Sequence, residues 1–278
     1  PWAALMIPGS ERYAAEELSL RYVISARDLV DRHAKRGQVG PDLVMADCDY
    51  ELRPSDRLGK WRSDFAVALE TEGPRIYQQM TDDQATVSLR TQENAQKEAL
   101  FGQPLPPRIL YLATHGKFLE ATDARVDDPF LCCYLAMAGY NFVPDPDGRS
   151  PSLPGVLTGA EVLLANLQGT ELVVLSACQS GRGIAAYGHS AASLRHAFHL
   201  AGARAVVSSL WSVADEPTGE LMVELMDRIL QGQDKAEALR AAQVEMIQRL
   251  RTGFYEQDKT KSYPAHPFLW AAFAVSGF

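Results

Sequence analysis

Short runs of β-branched and apolar residues alternate along the chain with stretches whose apolar positions recur every three or four residues. That alternation is the pattern of an α/β fold on a largely parallel sheet. It predicts strands over 21–25, 42–46, 75–79, 108–113, 131–137, 171–177, 204–210 and 269–275. "RILYLA" and "ELVVLSA" are almost continuously apolar, as central strands buried on both faces must be. Helical periodicity covers 84–100 and three better-punctuated segments. In "DKAEALRAAQVEMIQRL", Asp234 and Glu237 have capping-box spacing, and Leu239, Ala242, Met246 and Leu250 share one face. "SAASLRHAFHLAG" opens at Ser190 and stops at Gly202, with Leu194, Ala197, Phe198 and Ala201 as its apolar stripe. "PTGELMVELMDRILQG" carries Pro217 in its first turn and Gly232 just past its end. The proline- and glycine-rich stretch 141–155 reads as a long surface loop.

Composition narrows the class without naming it. The chain has 278 residues, 46% hydrophobic and 22% charged, enough for one large α/β domain. A net charge of -8 argues against a general nucleic-acid surface. The cysteines, Cys48, Cys132, Cys133 and Cys178, show no CxxC spacing, which points to free thiols in a reducing, cytoplasmic compartment. No apolar run is long enough for a membrane span and no signal-peptide pattern opens the chain. Because the chain starts at Pro1, it is expected to be the C-terminal part of a longer protein.

Two predicted strands end in residues of complementary chemistry. "RILYLATHG" delivers His115 and Gly116, and "ELVVLSACQSG" delivers Cys178. Ligands in open α/β sheets bind beyond the carboxyl ends of strands. If these two strands are parallel neighbours, an imidazole and a thiol meet there. The imidazole can take the thiol proton and return it to a leaving amine. The N–H groups of Gly116 and Cys178 are then candidate donors to an oxyanion. The plainer alternatives are a strand-end cysteine that is a small buried hydrophobe, and a histidine bonded into packing.

Beyond this spacing, the chain resembles the CHAT domain, a branch of the caspase-like cysteine peptidases related to separase. The resemblance rests on "YLATHGKF", "LTGAEVLLANLQGTELVVLSACQSGRG", "LRHAFHLAGARAVVSSLWSVAD", "EALRAAQ" and "HPFLWAAFAVSGF", and spans nearly the whole chain. It implies a single domain over 1–278: a caspase-like three-layer sandwich, its central, mostly parallel sheet flanked by helices on both faces. It also implies a bacterial-type cysteine endopeptidase with His115 as base and acid, Cys178 as nucleophile, and no cofactor or metal. The implied partners are a protein or peptide substrate and a regulatory protein or N-terminal repeat region. In such peptidases an extended substrate pairs with the strand leading into "SSLW". Ser209, Leu210 and Trp211 would then offer backbone bonds and a pocket wall, and Asp215 would face a basic P1 side chain. Asp215 fits equally well as the cap of the following helix. The chain departs from the family at Gln179, where an acidic residue is common, and at "YGHSAAS", where a Gly-Glu pair is. The segments 139–155 and 179–189 are expected to reorder on activation.

Other motifs fall away. "GRGIAA" mimics a dinucleotide fingerprint, but "CQS" separates it from the strand and no acidic residue follows at the required distance. His196 and His199 lack companion ligands. Cys132 and Cys133 are adjacent, so they point to opposite faces as a core and an edge thiol. Trp211 and Trp270 fit pocket walls or core packing. The competing function class is a catalytically silent caspase-like domain that holds a peptide in the same crevice.

Overall fold

A computed structural model describes residues 2–24, 29, 37–51, 60–61, 72–83, 85–118, 128–143, 155–177, 193–212, 215–252 and 265–278. In chain order the strands are β1 (Asp42–Cys48), β2 (Lys60–Trp61), β3 (Val87–Gln92), β4 (Ile109–Ala113), β5 (Gly116–Phe118), β6 (Cys133–Ala136), β7 (Phe142–Val143), β8 (Val156–Thr158), β9 (Leu172–Ser176), β10 (Ala205–Ser209) and β11 (Phe273–Gly277). The helices are α1 (Glu72–Asp82), α2 (Glu98–Phe101), α3 (Gly159–Val162), α4 (Leu194–Leu200), α5 (Asp215–Leu230), α6 (Lys235–Arg251) and α7 (Pro267–Trp270).

Six strands form the central sheet in the order β11-β10-β9-β4-β1-β3. Every neighbouring pair is parallel except β10 with β11. Because strand side chains alternate faces, continuous apolar runs here supply two cores at once. Ile109, Tyr111 and Ala113 join Leu172, Val174, Ala205 and Val207 on the face covered by α1, α5, α6 and α7. Leu110 and Leu112 join Val173, Leu175 and Val206 on the opposite face, under α4 and the segment after α3. The layers are therefore helices, sheet, helices.

Most of the predicted central strands stand, and the corrections have local causes. Residues 75–79 are helical, within α1, because Ile76 and Met80 lie one turn apart and are both fully buried. The expected helix over 84–100 is strand β3 followed by the one-turn α2, since the alternation of Val87 and Leu89 lets 87–92 pair with β1. Residues 269–275 divide into α7, started by Pro267 behind a His266 cap, and then β11. In 21–25 the described part makes one bridge, Tyr22 to Ser276, against the outer edge of β11.

The cap of α4 is Ser193, whose hydroxyl accepts from the His196 N–H. Ser190 lies outside the described residues. The apolar stripe of α4 is buried as expected, and Gly202 follows it at φ +117°, a left-handed position that suits glycine. Asp234 caps α6, accepting from the Ala236 and Glu237 N–H groups. Cys132 and Cys133 are both buried, so neither is an edge thiol.

Candidate functional site

The carboxyl end of the sheet is organised by β4 and β9. They pair in parallel from Ile109↔Leu172 to Ala113↔Ser176, and the Thr114 N–H continues the ladder to the Ser176 carbonyl at 3.2 Å. The chain leaving β4 turns at once into a second, antiparallel sheet of order β5-β6-β8. His115 sits at that junction, half-buried, between the two sheets.

Its backbone is held firmly. The Ala136 N–H donates to the His115 carbonyl at 2.8 Å, while the Thr114 hydroxyl donates to the Ala136 carbonyl. Hydrogen-bonded and non-bonded pairs alternate along an antiparallel ladder. With His115 and Ala136 bonded, Gly116 and Leu135 form the non-bonded pair, which turns the Gly116 N–H away from β6. A glycine N–H directed outward beside a histidine is a serviceable anion donor.

Behind His115 lies a satellite core containing Cys48, Tyr50, Ala95, Tyr134, Ala136, Tyr140 and Val156. The Tyr50 ring lies 5.6 Å from the His115 ring, tilted by 35°. The Tyr50 hydroxyl is 2.9 Å from the Thr114 hydroxyl. Burial pushes the Tyr50 phenol well above its ordinary pKa, so it is a protonated donor at neutral pH. Burial likewise pushes the Cys48 thiol up to about 11 and Cys133 up to about 12, and raises Cys132. These three are unreactive thiols at neutral pH.

Cys178, with the segment 179–189, lies outside the described residues, and so does most of 139–155. The described chain reaches Ala177, which is buried. The Ser209 hydroxyl donates to the Ala177 carbonyl at 2.5 Å, which ties the end of β10 to the end of β9. Ser209 itself is fully buried. The Leu210 N–H donates to the Ala272 carbonyl at 2.9 Å, so it is occupied by the chain entering β11. Trp211 is half-buried, stacks on Phe268 with centroids 6.2 Å apart, and donates its indole N–H to the Phe268 carbonyl. Asp215 opens α5, and its side chain lies outside the described part. Trp270 is wholly buried in the core.

His199 has both ring nitrogens within hydrogen-bond distance of partners, Ala203 at 3.0 Å and Ser276 at 2.8 Å, so it fastens α4 to β11. Among the described residues no cluster of three or more His, Cys, Asp or Glu could hold a metal, and no helix is long and apolar enough to cross a membrane. Tyr50 is the member of the site that strand-end reasoning missed. Its only sequence signal is that it follows β1, whose carboxyl end lies beside that of β4.

Comparison with known proteins agrees with this fold. The family model described as CHAT domain matches residues 1–278. The fold is similar to the crystal structure of the Arg specific cysteine proteinase gingipain R, at 12% identity and a TM-score of 0.51, over 90% of this chain and 51% of that one. It is also similar to the separase–securin complex of Saccharomyces cerevisiae, at 13% identity and 0.51, over 95% of this chain and 14% of that one. A complex of the RgpB pro- and mature domains from Porphyromonas gingivalis matches at 10% identity and 0.50, over 90% and 51%. The chain thus spans about half of the gingipain chains and about one seventh of the separase chain. A search of curated proteins found no match. At these identities the likeness is one of fold, the caspase-like three-layer sandwich that the resemblance implied.

Proposed function

The chain belongs to the CHAT domain family, and from that premise we propose that it is a cysteine endopeptidase in which His115 and Cys178 form the catalytic dyad. The observation that carries this reading is the register Ala113↔Ser176, which sets the ends of β4 and β9 side by side. His115 and Cys178 each follow two positions later in the sequence. Neighbouring strands lie about 4.8 Å apart, a spacing that suits a thiol–imidazole pair.

In this mechanism His115 takes the Cys178 proton, and the thiolate attacks the scissile carbonyl carbon. The tetrahedral oxyanion is held by the N–H groups of Gly116 and Cys178. Collapse breaks the C–N bond, the His115 imidazolium protonates the departing amine, and a thioester remains. Water, deprotonated by His115, then hydrolyses the thioester and returns the thiol. An extended peptide would run along the chain leaving β10, with Trp211 as a wall and Asp215 facing a basic P1 side chain. The Leu210 N–H is already bonded to Ala272, so it is not among the peptide's donors. The domain acts in a reducing cytoplasm under a regulatory protein or an N-terminal repeat region.

Proteomic cleavage-site profiling of the wild type against Cys178→Ala tests this. New peptide termini should appear only with the wild type, enriched after Arg or Lys, and Asp215→Ala should erase that enrichment. Identical terminus profiles for wild type and Cys178→Ala, with the activating partner present, would sink the reading.

A further inference from the structure

A base that must take a proton at one moment and return it at another needs its ring fixed, and a third group ordinarily does this. The obvious candidates are the acidic residues at and just beyond the end of β1. Each has a hydrogen-bond partner elsewhere: Asp47 accepts from the Gln92 amide, Asp49 from the Glu51 N–H at 3.0 Å, and Glu51 from the Asn141 amide at 2.7 Å. What does reach His115 from that segment is Tyr50. Resting on the dyad reading above, we propose that Tyr50 is the positioning residue for His115: its ring walls the imidazole, and its hydroxyl, through Thr114, locks the peptide from which the imidazole projects.

The direction of each bond follows from counting protons. A hydroxyl carries one hydrogen, and the hydrogen of Thr114 goes to the Ala136 carbonyl. In the Tyr50–Thr114 contact, Tyr50 must therefore be the donor. The Ala136 N–H in turn donates to the His115 carbonyl, so one residue of β6 clamps both Thr114 and His115. The Cys48 thiol adds a weak donor to Thr114 at 3.8 Å. Tyr50 is thus bonded to Thr114, the residue that precedes His115, and its own ring bounds where the imidazole can swing.

The chain is shaped to present Tyr50 this way. The pairing of β1 with β3 shifts register between Met45 and Cys48, and bulges of this kind re-aim the side chains beyond them. Asp47 and Gln92 take left-handed backbone angles there, φ 47° and 50°, which non-glycine residues rarely adopt. Beyond the bulge, the Gly139 N–H bonds to the Asp49 carbonyl at 2.8 Å and the Asn141 N–H to the Tyr50 carbonyl at 2.9 Å. With Tyr50 only 3% exposed, the support is rigid before any substrate arrives.

The test is the rate of iodoacetamide alkylation of Cys178 in the folded protein, followed against pH, beside independent melting curves. The raised thiols of Cys48, Cys132 and Cys133 leave a slow background. Tyr50→Phe and Thr114→Val should each slow Cys178 at pH 6.5 to 7 by about fivefold, the worth of one lost hydrogen bond. Thr114→Ser should restore the rate to within about twofold. All four proteins should converge at high pH, where an unassisted thiol ionises. Tyr50→Phe and Thr114→Val that react like wild type, whatever their melting temperatures, overturn the inference and leave the dyad standing. A wild type with no fast thiol overturns the dyad reading, and this inference with it.

Discussion

Ser208 and Ser209 are adjacent in β10, both fully buried, and should respond to alanine in opposite directions. The Ser209 hydroxyl donates to the Ala177 carbonyl at 2.5 Å. Ser209→Ala removes that donor and strands a buried carbonyl, which costs about 1–3 kcal/mol. The Ser208 hydroxyl is buried on the opposite face with no hydrogen-bond partner among the described residues. Ser208→Ala discards a desolvated group and should be neutral or stabilising by up to about 1 kcal/mol. The two variants therefore differ by roughly 2 kcal/mol. With a urea slope near 3 kcal/mol/M for a chain of this size, their unfolding midpoints separate by roughly 0.7 M. Ser209→Ala should also slow Cys178 alkylation, because the peptide it releases is the one preceding the nucleophile. Equal midpoints for the two variants, or a stabilised Ser209→Ala, would refute the reasoning that hydrogen-bond satisfaction decides the sign.

Gly155→Ala should unfold the small sheet behind His115, because its new Cβ would stand 2.0 Å from the Tyr140 backbone nitrogen; we expect a loss of about 3 kcal/mol in urea melts. An acid-side effect is expected where the N-terminal segment meets α6. Burial works to raise the Asp234 carboxyl, yet the Arg21 ion pair and the cap bonds outweigh it and hold the group below its ordinary value. A depressed carboxylate contributes stability that is present above its unfolded-state pKa, about 3.9, and is lost as pH falls through its lower folded-state value. The melting-temperature gap between wild type and Arg21→Met should thus be constant from pH 7 to 5 and narrow below pH 4. The pair is largely exposed at Asp234, so the gap should be small and reduced by salt. A gap unchanged down to pH 2.5 would contradict this.

How much of the fold is legible in the sequence depends on how local its cause is. The central strands and α6 announce themselves in the sequence, because a strand buried on both faces must be apolar throughout, and a cap followed by a regular stripe needs no distant partner. His115 and Cys178 stand out as candidates for the same reason, as polar residues at the exits of apolar runs. The edge and end elements are not legible in this way. Residues 87–92 are polar enough to pass for helix until β1 offers them an edge to pair with, and 267–270 become a helical turn only through the His266 cap and Pro267.

The sequence by itself determined an α/β sheet with a histidine and a cysteine leaving two of its strands, because hydrophobic periodicity and residue chemistry are written one position at a time. Only the tertiary structure decided that those strands are parallel neighbours in register, that the Leu210 N–H is taken by the chain entering β11, and that Tyr50, sixty-five positions before His115, packs against the imidazole. Register, the β1 bulge and the clamp at Ala136 are agreements between distant segments, and no single stretch of chain carries them.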